Sequence, residues 1–220
     1  DKRNIVLRML LKPDYVNQTV KELRTRLYQY FMIESLIRLR FKDTDGLTVI
    51  IDGVVESFES PLFSKEPAVD ISIICHNPDF SEEVATVVNC STTSTTTEIL
   101  IDYDGTIPTG FEFALLLNRS VNAGGTIPFH HRNPSNVLST ITYSNNAPGL
   151  VSGNVLTIST VIGNKFARLQ NSSGLNSVIG RIDPQSSWTQ LLPGENYFRV
   201  ALASTPIPYT ITYFTKYGGL

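Results

Sequence analysis

Hydrophobic and polar positions along the chain follow two periods, and the helical one occurs only near the N-terminus. Four apolar residues recur there at helical spacing, namely Val20, Leu23, Leu27 and Phe31. Thr19 precedes them as an N-cap, and Glu22 three residues later completes a capping box that satisfies free backbone donors. The pattern therefore predicts a single helix over Val20–Phe31.

A period of two, typical of strands, dominates the rest of the first 80 or so residues. It predicts a largely buried strand at Asn4–Leu11. It also predicts a hairpin of two strands, Leu36–Phe41 and Leu47–Phe58, and a further strand at Ala68–Cys75. Asp43–Gly46 supplies the hairpin turn, and Gly53 is expected to mark a β-bulge. In the first hairpin strand one side is apolar, whereas the other carries Arg38 and Arg40.

The composition changes at Asn89–Thr97, which is almost entirely Ser and Thr and is interpreted as either a linker or a polar edge strand. Beyond it the pattern predicts only short strands separated by Gly, Asn and Pro turns. The candidates are Glu98–Tyr103, Glu112–Leu117, Thr126–Phe129, Ser139–Tyr143, Val155–Thr160, Lys165–Gln170, Trp188–Leu191, Asn196–Ala203 and Thr210–Thr215. This spacing is typical of an antiparallel β-sandwich, with Trp188, Phe166 and Phe198 expected between its sheets.

These patterns predict two domains. Residues 1–85 are expected to form a β-rich domain with one helix, and residues 86–220 an antiparallel sandwich. The last residues, Tyr217–Leu220, are candidates for a return to the first domain. Trp188, the single tryptophan, is expected to be mostly buried in the second domain.

Composition excludes several classes of function. A chain of 220 residues with 41% hydrophobic and 17% charged residues can bury a core, so disorder is excluded. We expect no membrane span, because no apolar run approaches about 20 residues. A net charge of −2 gives no reason to expect direct nucleic-acid binding. Two cysteines are too few for a disulfide framework, and Cys75 is interpreted as a buried small hydrophobic residue rather than a partner of Cys90.

Few residues suggest chemistry. His130 and His131 are adjacent on a predicted strand, so they point to opposite faces and cannot easily bind one metal ion. Asp102–Gly105 resembles the start of a calcium loop but lacks the later ligands, and Asp104-Gly105 is an ordinary turn pair. Neither a nucleophile elbow nor a phosphate-binding glycine loop occurs. We therefore expect no enzyme activity, no catalytic residues, no metal and no cofactor.

The basic positions on the predicted hairpin have two interpretations. Arg38 and Arg40 either lie on an ordinary solvated face or contact another subunit, since arginine is enriched in interfaces. Together with Phe41 they are the candidate subunit-interface residues.

Taken in order, these segments resemble a known family. Lys2–Leu7, the predicted helix and hairpin, and Ile73–Phe80 are similar to the later part of the tail-tube-like domain of phage distal tail (Dit) proteins. Four segments of the second half are similar to the C-terminal sandwich of that family: Gly110–Phe113, Gly163–Lys165, Leu192–Asn196 and Tyr217–Leu220. Each motif is short, so the resemblance depends on their order and spacing along nearly the whole chain.

The resemblance implies a mainly β protein, in which a tail-tube-like β-barrel or sandwich domain with one α-helix precedes an antiparallel galectin-like β-sandwich. It also implies that the first domain lacks its N-terminal part, since family members usually have more sequence before the helix. The implied function is structural, as a homo-hexameric ring at the virion tail tip that joins the tail tube protein to the baseplate hub.

The partners implied by the resemblance are the tape-measure-associated tail tip proteins and, as further candidates, receptor-binding proteins or host glycans. Two alternatives remain open. The first alternative is a carbohydrate-binding module that contacts host envelope glycans directly. The second is a hydrolase whose site the sequence does not reveal.

Overall fold

The computed structural model describes residues 2–14, 16–61, 67–93, 97–146, 149–202 and 206–219. The chain divides into two compact units, of which the first comprises the residues up to Glu83 together with Gly219 and the second comprises Val84–Gly218. The described elements of the first unit are β1 Arg3–Leu10, α1 Val20–Tyr30, β2 Leu36–Lys42, β3 Thr48–Glu59, β4 Ala68–Cys75 and β5 Phe80–Glu82.

The strands of the first unit form an antiparallel sheet. β1, β4, β3 and β5 follow one another in it, and β2 pairs with the opposite side of β3. Strict alternation along β3 and β4 places one set of side chains in the core, which contains Val49, Ile51, Val55, Val69, Ile71, Ile73 and Cys75. The core of this unit is therefore built on a single face of the sheet.

Strand β1 is less buried than its sequence suggests. Its residues alternate between half-buried and exposed, and Val6 and Leu10 are 61% and 60% exposed. Among the described strands β1 pairs only with β4, so it lies at an edge of the sheet with one face towards solvent. The prediction of a largely buried strand was therefore wrong.

Gly53 does not mark a bulge. The register between β3 and β4 shifts between Val55 and Ser57, which makes Glu56 the extra residue. A Cβ atom on Gly53 in β3 would lie 2.6 Å from Cγ2 of Ile73 in β4. Glycine is therefore required at this close approach of the two strands.

Helix α1 confirms the predicted capping box. The Glu22 amide donates to Oγ1 of Thr19 over 3.2 Å, and the Thr19 amide donates to Oε2 of Glu22 over 2.8 Å. The helix ends at Tyr30, one residue before the predicted end, and none of its residues is fully buried. Its half-buried residues are Val20, Leu23, Arg24 and Leu27. The exposed Tyr28 meets the edge of the Phe58 ring with centroids 5.3 Å apart.

The second unit contains almost only strands. Its described elements are β6 Thr86–Ser91, β7 Ile99–Tyr103, β8 Phe111–Leu116, β9 Gly125–Arg132, β10 Leu138–Asn145, β11 Val155–Ser159, β12 Phe166–Asn171, β13 Gly174–Ser177, the 3₁₀ turn η1 Ile179–Arg181, β14 Gly194–Val200, β15 Pro208–Tyr213 and β16 Lys216–Tyr217.

Two antiparallel sheets form the sandwich of the second unit. One has the order β13-β12-β11-β8-β15-β6 and the other the order β10-β9-β14-β7. Their inward side chains form one continuous core, in which Phe113 of β8 contacts Phe129 of β9 with ring centroids 4.2 Å apart. β6 ends the six-stranded sheet, so the part of the Ser/Thr-rich run that precedes Thr92 is an edge strand; Ser94–Thr96 lie outside the described residues.

One expectation for this unit was wrong: Trp188–Leu191 does not form a strand, although Leu191 makes an isolated bridge with Thr109. Trp188 is partly buried and packs against the core of this unit, with Nζ of Lys165 at 5.9 Å from its ring centroid. Both cysteines are buried and free.

Two backbone amides near the end of the chain donate to side chains of the second unit. The Lys216 amide donates to the hydroxyl of Tyr103 over 3.0 Å, and the Gly218 amide donates to Oγ1 of Thr106 over 2.8 Å. A return of Tyr217–Leu220 to the first domain stays a prediction, and Leu220 itself lies outside the described residues.

Candidate assembly surface and comparison with known proteins

The β2–β3 hairpin is held by its turn. Oδ1 of Asp43 accepts hydrogen bonds from the amides of Asp45 and Leu47, over 3.0 and 2.8 Å. Gly46 has φ +95°, a left-handed conformation that glycine adopts without steric cost. The turn fixes the register in which Arg38 lies opposite Asp52.

Both candidate arginines are exposed and paired with carboxylates of their own unit. Arg38 binds Asp52 with two hydrogen bonds of 2.7 and 2.9 Å, and these lower the pKa of the Asp52 carboxyl. Nη2 of Arg40 lies 2.7 Å from Oε2 of Glu83. Solvent screens such exposed pairs, so they contribute little to folding, but they hold the charged groups in fixed positions on the outer face of the sheet.

Phe41 lies on the opposite face of β2 from the two arginines, as the alternation of the strand requires. Its ring meets the edge of Phe80 with centroids 5.7 Å apart, and the guanidinium of Arg3 lies 4.7 Å from the Phe80 centroid. The structure thus separates Phe41 from Arg38 and Arg40, and a contact of any of the three with another subunit remains a prediction.

An apolar surface next to the hairpin was missed by the sequence analysis. We call it the apolar knuckle; it consists of Tyr30, Met32, Ile33 and Leu36, which are 65%, 53%, 48% and 84% exposed. The consecutive apolar residues 30–33 after the helix were the available signal. Clustered exposed apolar side chains are typical of interaction surfaces.

The turn that carries the knuckle is hydrogen-bonded within itself and to β3. The Ser35 amide and hydroxyl both donate to the carbonyl of Met32, over 3.0 and 2.5 Å. Glu34 has φ +67°, which is unusual for a residue other than glycine, and its amide donates to the carbonyl of Val55 in β3. The apolar side chains are thus presented on a turn that is tied to the sheet.

Two sheet edges of the first unit are open. β1 pairs only with β4 and β2 only with β3 among the described strands, so each has a row of backbone groups without a neighbouring strand. Such edges readily pair with another chain unless they are short, charged or covered. Together with the knuckle, Arg38 and Arg40, they are the candidate surfaces of the first unit for contact with another chain.

The second unit contains the two adjacent histidines that the sequence offers as metal ligands. His130 and His131 point to opposite faces of β9, as expected from their adjacency, and His131 is 2% exposed. Within the described ranges no three His, Cys, Asp or Glu side chains come close enough to hold a metal ion. No helix in the part of the chain that the structure describes is long and apolar enough to cross a membrane.

Comparison with solved structures gives the fold of the whole chain. The crystal structure of Dit from phage SPP1 matches with a TM-score of 0.69 and 16% sequence identity, over 98% of this chain and 79% of that chain. Two structures of the phage P2 baseplate in its activated conformation, with Ca and with Sr, match with TM-scores of 0.43 and 0.42, 10% identity and coverage of 96% of this chain and 78% of theirs. No family model and no curated protein sequence matches.

The fold is therefore that of the phage distal tail proteins. The particular solved protein that carries this conclusion is SPP1 Dit, which is described as a paradigm of the hub adsorption apparatus in phages that infect Gram-positive bacteria. The mainly β fold, the single helix and the resemblance to the Dit family are confirmed at the level of the fold.

Proposed function

We propose that this protein is a structural component of the virion tail tip of a long-tailed bacteriophage, without enzyme activity. The observation that carries the proposal is the match to SPP1 Dit along 98% of the chain, since that protein is described as part of a hub adsorption apparatus. In this proposal six copies form a ring that joins the tail tube protein to the baseplate hub. The tail-tip proteins associated with the tape measure and the receptor-binding proteins attach to the same ring.

The surface of the first unit supports ring formation. The edges of β1 and β2 are different surfaces of one molecule, so a contact between β1 of one copy and β2 of the next is heterologous. Heterologous contacts close into a ring when the rotation between copies divides a full turn. The apolar knuckle adjoins β2, so the same contact would remove its side chains from water.

The test is the oligomeric state of the whole chain and of a variant of the knuckle. Light scattering and negative-stain images should show rings of six copies for the wild type. Leu36→Lys places a charge where an 84% exposed leucine would become buried, so it should raise the concentration at half-assembly at least tenfold. Ile162→Lys is the matched control, because Ile162 is 73% exposed and lies in the second unit.

Ile162→Lys should assemble like the wild type. A wild-type chain that stays monomeric at high concentration and is absent from purified virions would contradict the proposal. An equal rise in the concentration at half-assembly for Leu36→Lys and Ile162→Lys would contradict the role of the knuckle in ring formation.

A further inference from the structure

A groove of the second unit lies beside β13, where the six-stranded sheet ends. Among the described strands β13 pairs only with β12. The groove has a volume of about 610 Å³, which is within the usual range of ligand sites. We call it the β13 groove; it is lined by β13 and the turn before it, by the segment after β13 that includes η1, and by the loop 149–154. The proposed ring does not use this groove.

At β13 the sheet extends beyond the core of the sandwich. Asn176 lies opposite Leu169 in register, so the two side chains are on the same face of the sheet. Leu169 is 7% exposed and belongs to the core, whereas Asn176 is exposed and lines the groove. The inner face of β13 is therefore accessible, and it forms one wall of the groove.

The backbone of β13 has the geometry to pair with a further strand. The Val178 amide donates to the carbonyl of Ala167 in β12 over 2.8 Å. Backbone groups alternate in direction along an antiparallel strand, so those of Leu175 and Ser177 point away from β12. An extended peptide that pairs with them would place every second side chain in the groove beside Asn176, and the others on the outer face beside Leu175.

Apolar side chains surround the groove. Val151 in the loop, Leu175 in β13 and Ile179 in η1 are 49%, 58% and 45% exposed. Val178 is half-buried, lines the groove and packs against the core. Exposed apolar side chains around a groove are typical of interaction surfaces, and an added strand would remove some of their area from water.

Arg181 gives the groove a positive charge. Its Nη1 donates to the hydroxyl of Tyr143 over 3.1 Å, and Tyr143 is fully buried in β10. No Asp or Glu is among the described residues that line the groove, and Arg181 is in none of the ion pairs of the described residues. Oδ1 of Asp183, two residues further on, accepts from the Gln185 amide. Arginine has five N–H donors, so the guanidinium of Arg181 can still bind a carboxylate by two parallel hydrogen bonds.

Hydrogen bonds hold both rims of the groove in place. In the loop, Oδ1 of Asn154 accepts from the Val151 amide over 3.1 Å. In the turn before β13, Oδ1 of Asn171 accepts from the Ser173 amide over 2.9 Å. A groove that is formed before the ligand arrives reduces the ordering cost of binding.

We propose that the β13 groove binds an extended acidic segment of a partner protein, which adds to the six-stranded sheet as a further strand beside β13. Main-chain hydrogen bonds to Leu175 and Ser177 supply affinity, as in other cases of strand addition. A carboxylate of the segment pairs with Arg181, and its apolar side chains cover Val151. A basic segment would place a like charge beside Arg181 in a groove whose described lining has no carboxylate. This inference does not depend on ring formation, because all its residues belong to the second unit.

The experiment is a titration of fluorescein-labelled peptides with the full chain, followed by fluorescence anisotropy. The peptides have nine residues and blocked ends; valine and threonine alternate in them, and glutamate, glutamine or lysine replaces each position in turn. The best glutamate peptide should bind at least fivefold more tightly than its glutamine counterpart, and its lysine counterpart should not bind at millimolar concentration. N-methylation of every second amide should abolish binding in one alternation and leave it unchanged in the other, because only one set of amides faces β13.

Arg181→Gln should weaken binding of the best glutamate peptide at least tenfold and remove the preference for glutamate over glutamine. Arg168→Gln is the matched control: Arg168 is exposed on the outer face of β12, opposite Ser177 in register, and the variant should bind like the wild type.

The absence of binding by every peptide, equal binding of glutamate and lysine peptides, or equal effects of Arg181→Gln and Arg168→Gln would each overturn the proposal. Self-association of the full chain that Arg181→Gln abolishes, without binding of any peptide, would assign the groove to a second copy instead. The glutamate, lysine and N-methylated peptides are compared on the wild type, so a variant that fails to fold does not decide the question.

Discussion

At the scale of single residues, His131 is a titratable side chain buried in the core of the second unit. It is 2% exposed and stacks on Phe198 with ring centroids 4.6 Å apart. Nδ1 lies 2.8 Å from Oγ1 of Thr189, and Nε2 lies 3.0 Å from Oδ1 of Asn196. An amide oxygen only accepts, so Nε2 carries the proton and Nδ1 accepts from the threonine hydroxyl.

This environment predicts an acid-sensitive second unit. Burial lowers the pKa of His131, so below the ordinary histidine value of about 6.5 the unfolded chain binds a proton more readily than the folded one. The neutral His131 side chain contributes to the free energy of unfolding above about pH 6.5. This contribution is lost as the pH falls towards the lowered pKa of His131. Urea unfolding between pH 7.5 and 5 should show a falling free energy, and His131→Gln should flatten that part of the curve.

His76→Gln is the control for this prediction, because His76 is exposed in the first unit. It should follow the wild-type dependence on pH. An unchanged slope in His131→Gln would contradict the assignment of the acid sensitivity to His131.

Expectations for single residues were confirmed where residues close in the sequence determine the local structure. They were wrong where contacts with distant segments determine it. The Thr19–Glu22 capping box needs only four consecutive residues, and it is present as predicted. Trp188 was expected on a strand, but it lies in an irregular segment and packs against the core from there. Whether a segment pairs into a sheet depends on which strands lie beside it, and sequence spacing does not contain that information.

At the scale of elements, the period of the sequence located most strands to within a few residues but did not give their place in a sheet. β1 was predicted as buried because its residues are mostly apolar, yet it lies at an edge where only one of its faces is covered. A bulge was predicted at Gly53, although the extra residue is Glu56. Strand order and register depend on contacts between distant segments, so they lay beyond the sequence pattern.

The open edges of β1 and β2 predict a change in hydrogen exchange upon assembly. In the monomer, amides that point away from the neighbouring strand exchange quickly, because no partner protects them. Peptides that cover Arg3–Leu10 and Leu36–Lys42 should gain protection in the ring fraction, measured by mass spectrometry after deuterium labelling. β13 is the control: it ends the six-stranded sheet of the second unit and should not change. Unchanged exchange at both β1 and β2 in assembled rings would contradict edge pairing.

At the scale of the whole molecule, the candidate sites differ in how far the sequence could reveal them. Arg38 and Arg40 are two residues apart on one strand, so their shared face follows from alternation alone. Glu98, Arg132 and Tyr197 lie far apart in the chain and meet only because β7 and β9 both flank β14. The two adjacent histidines of this region are visible in the sequence, but the pairing around Arg132 is not, because its partners are distant in the chain.

The pairing of Arg38 with Asp52 and of Arg40 with Glu83 allows a decisive test of the arginine face in assembly. Arg38→Glu with Arg40→Glu should weaken ring formation at least tenfold by light scattering, while the thermal transition of the second unit stays unchanged. That variant also sets like charges against each other within the first unit, which alone destabilises a sheet.

Adding Asp52→Arg and Glu83→Arg restores both pairs with reversed polarity. If the arginines contact a neighbouring subunit, the fourfold variant should recover the stability of the first unit but not the ring. Recovery of the ring as well would show that the arginines act only within their own unit.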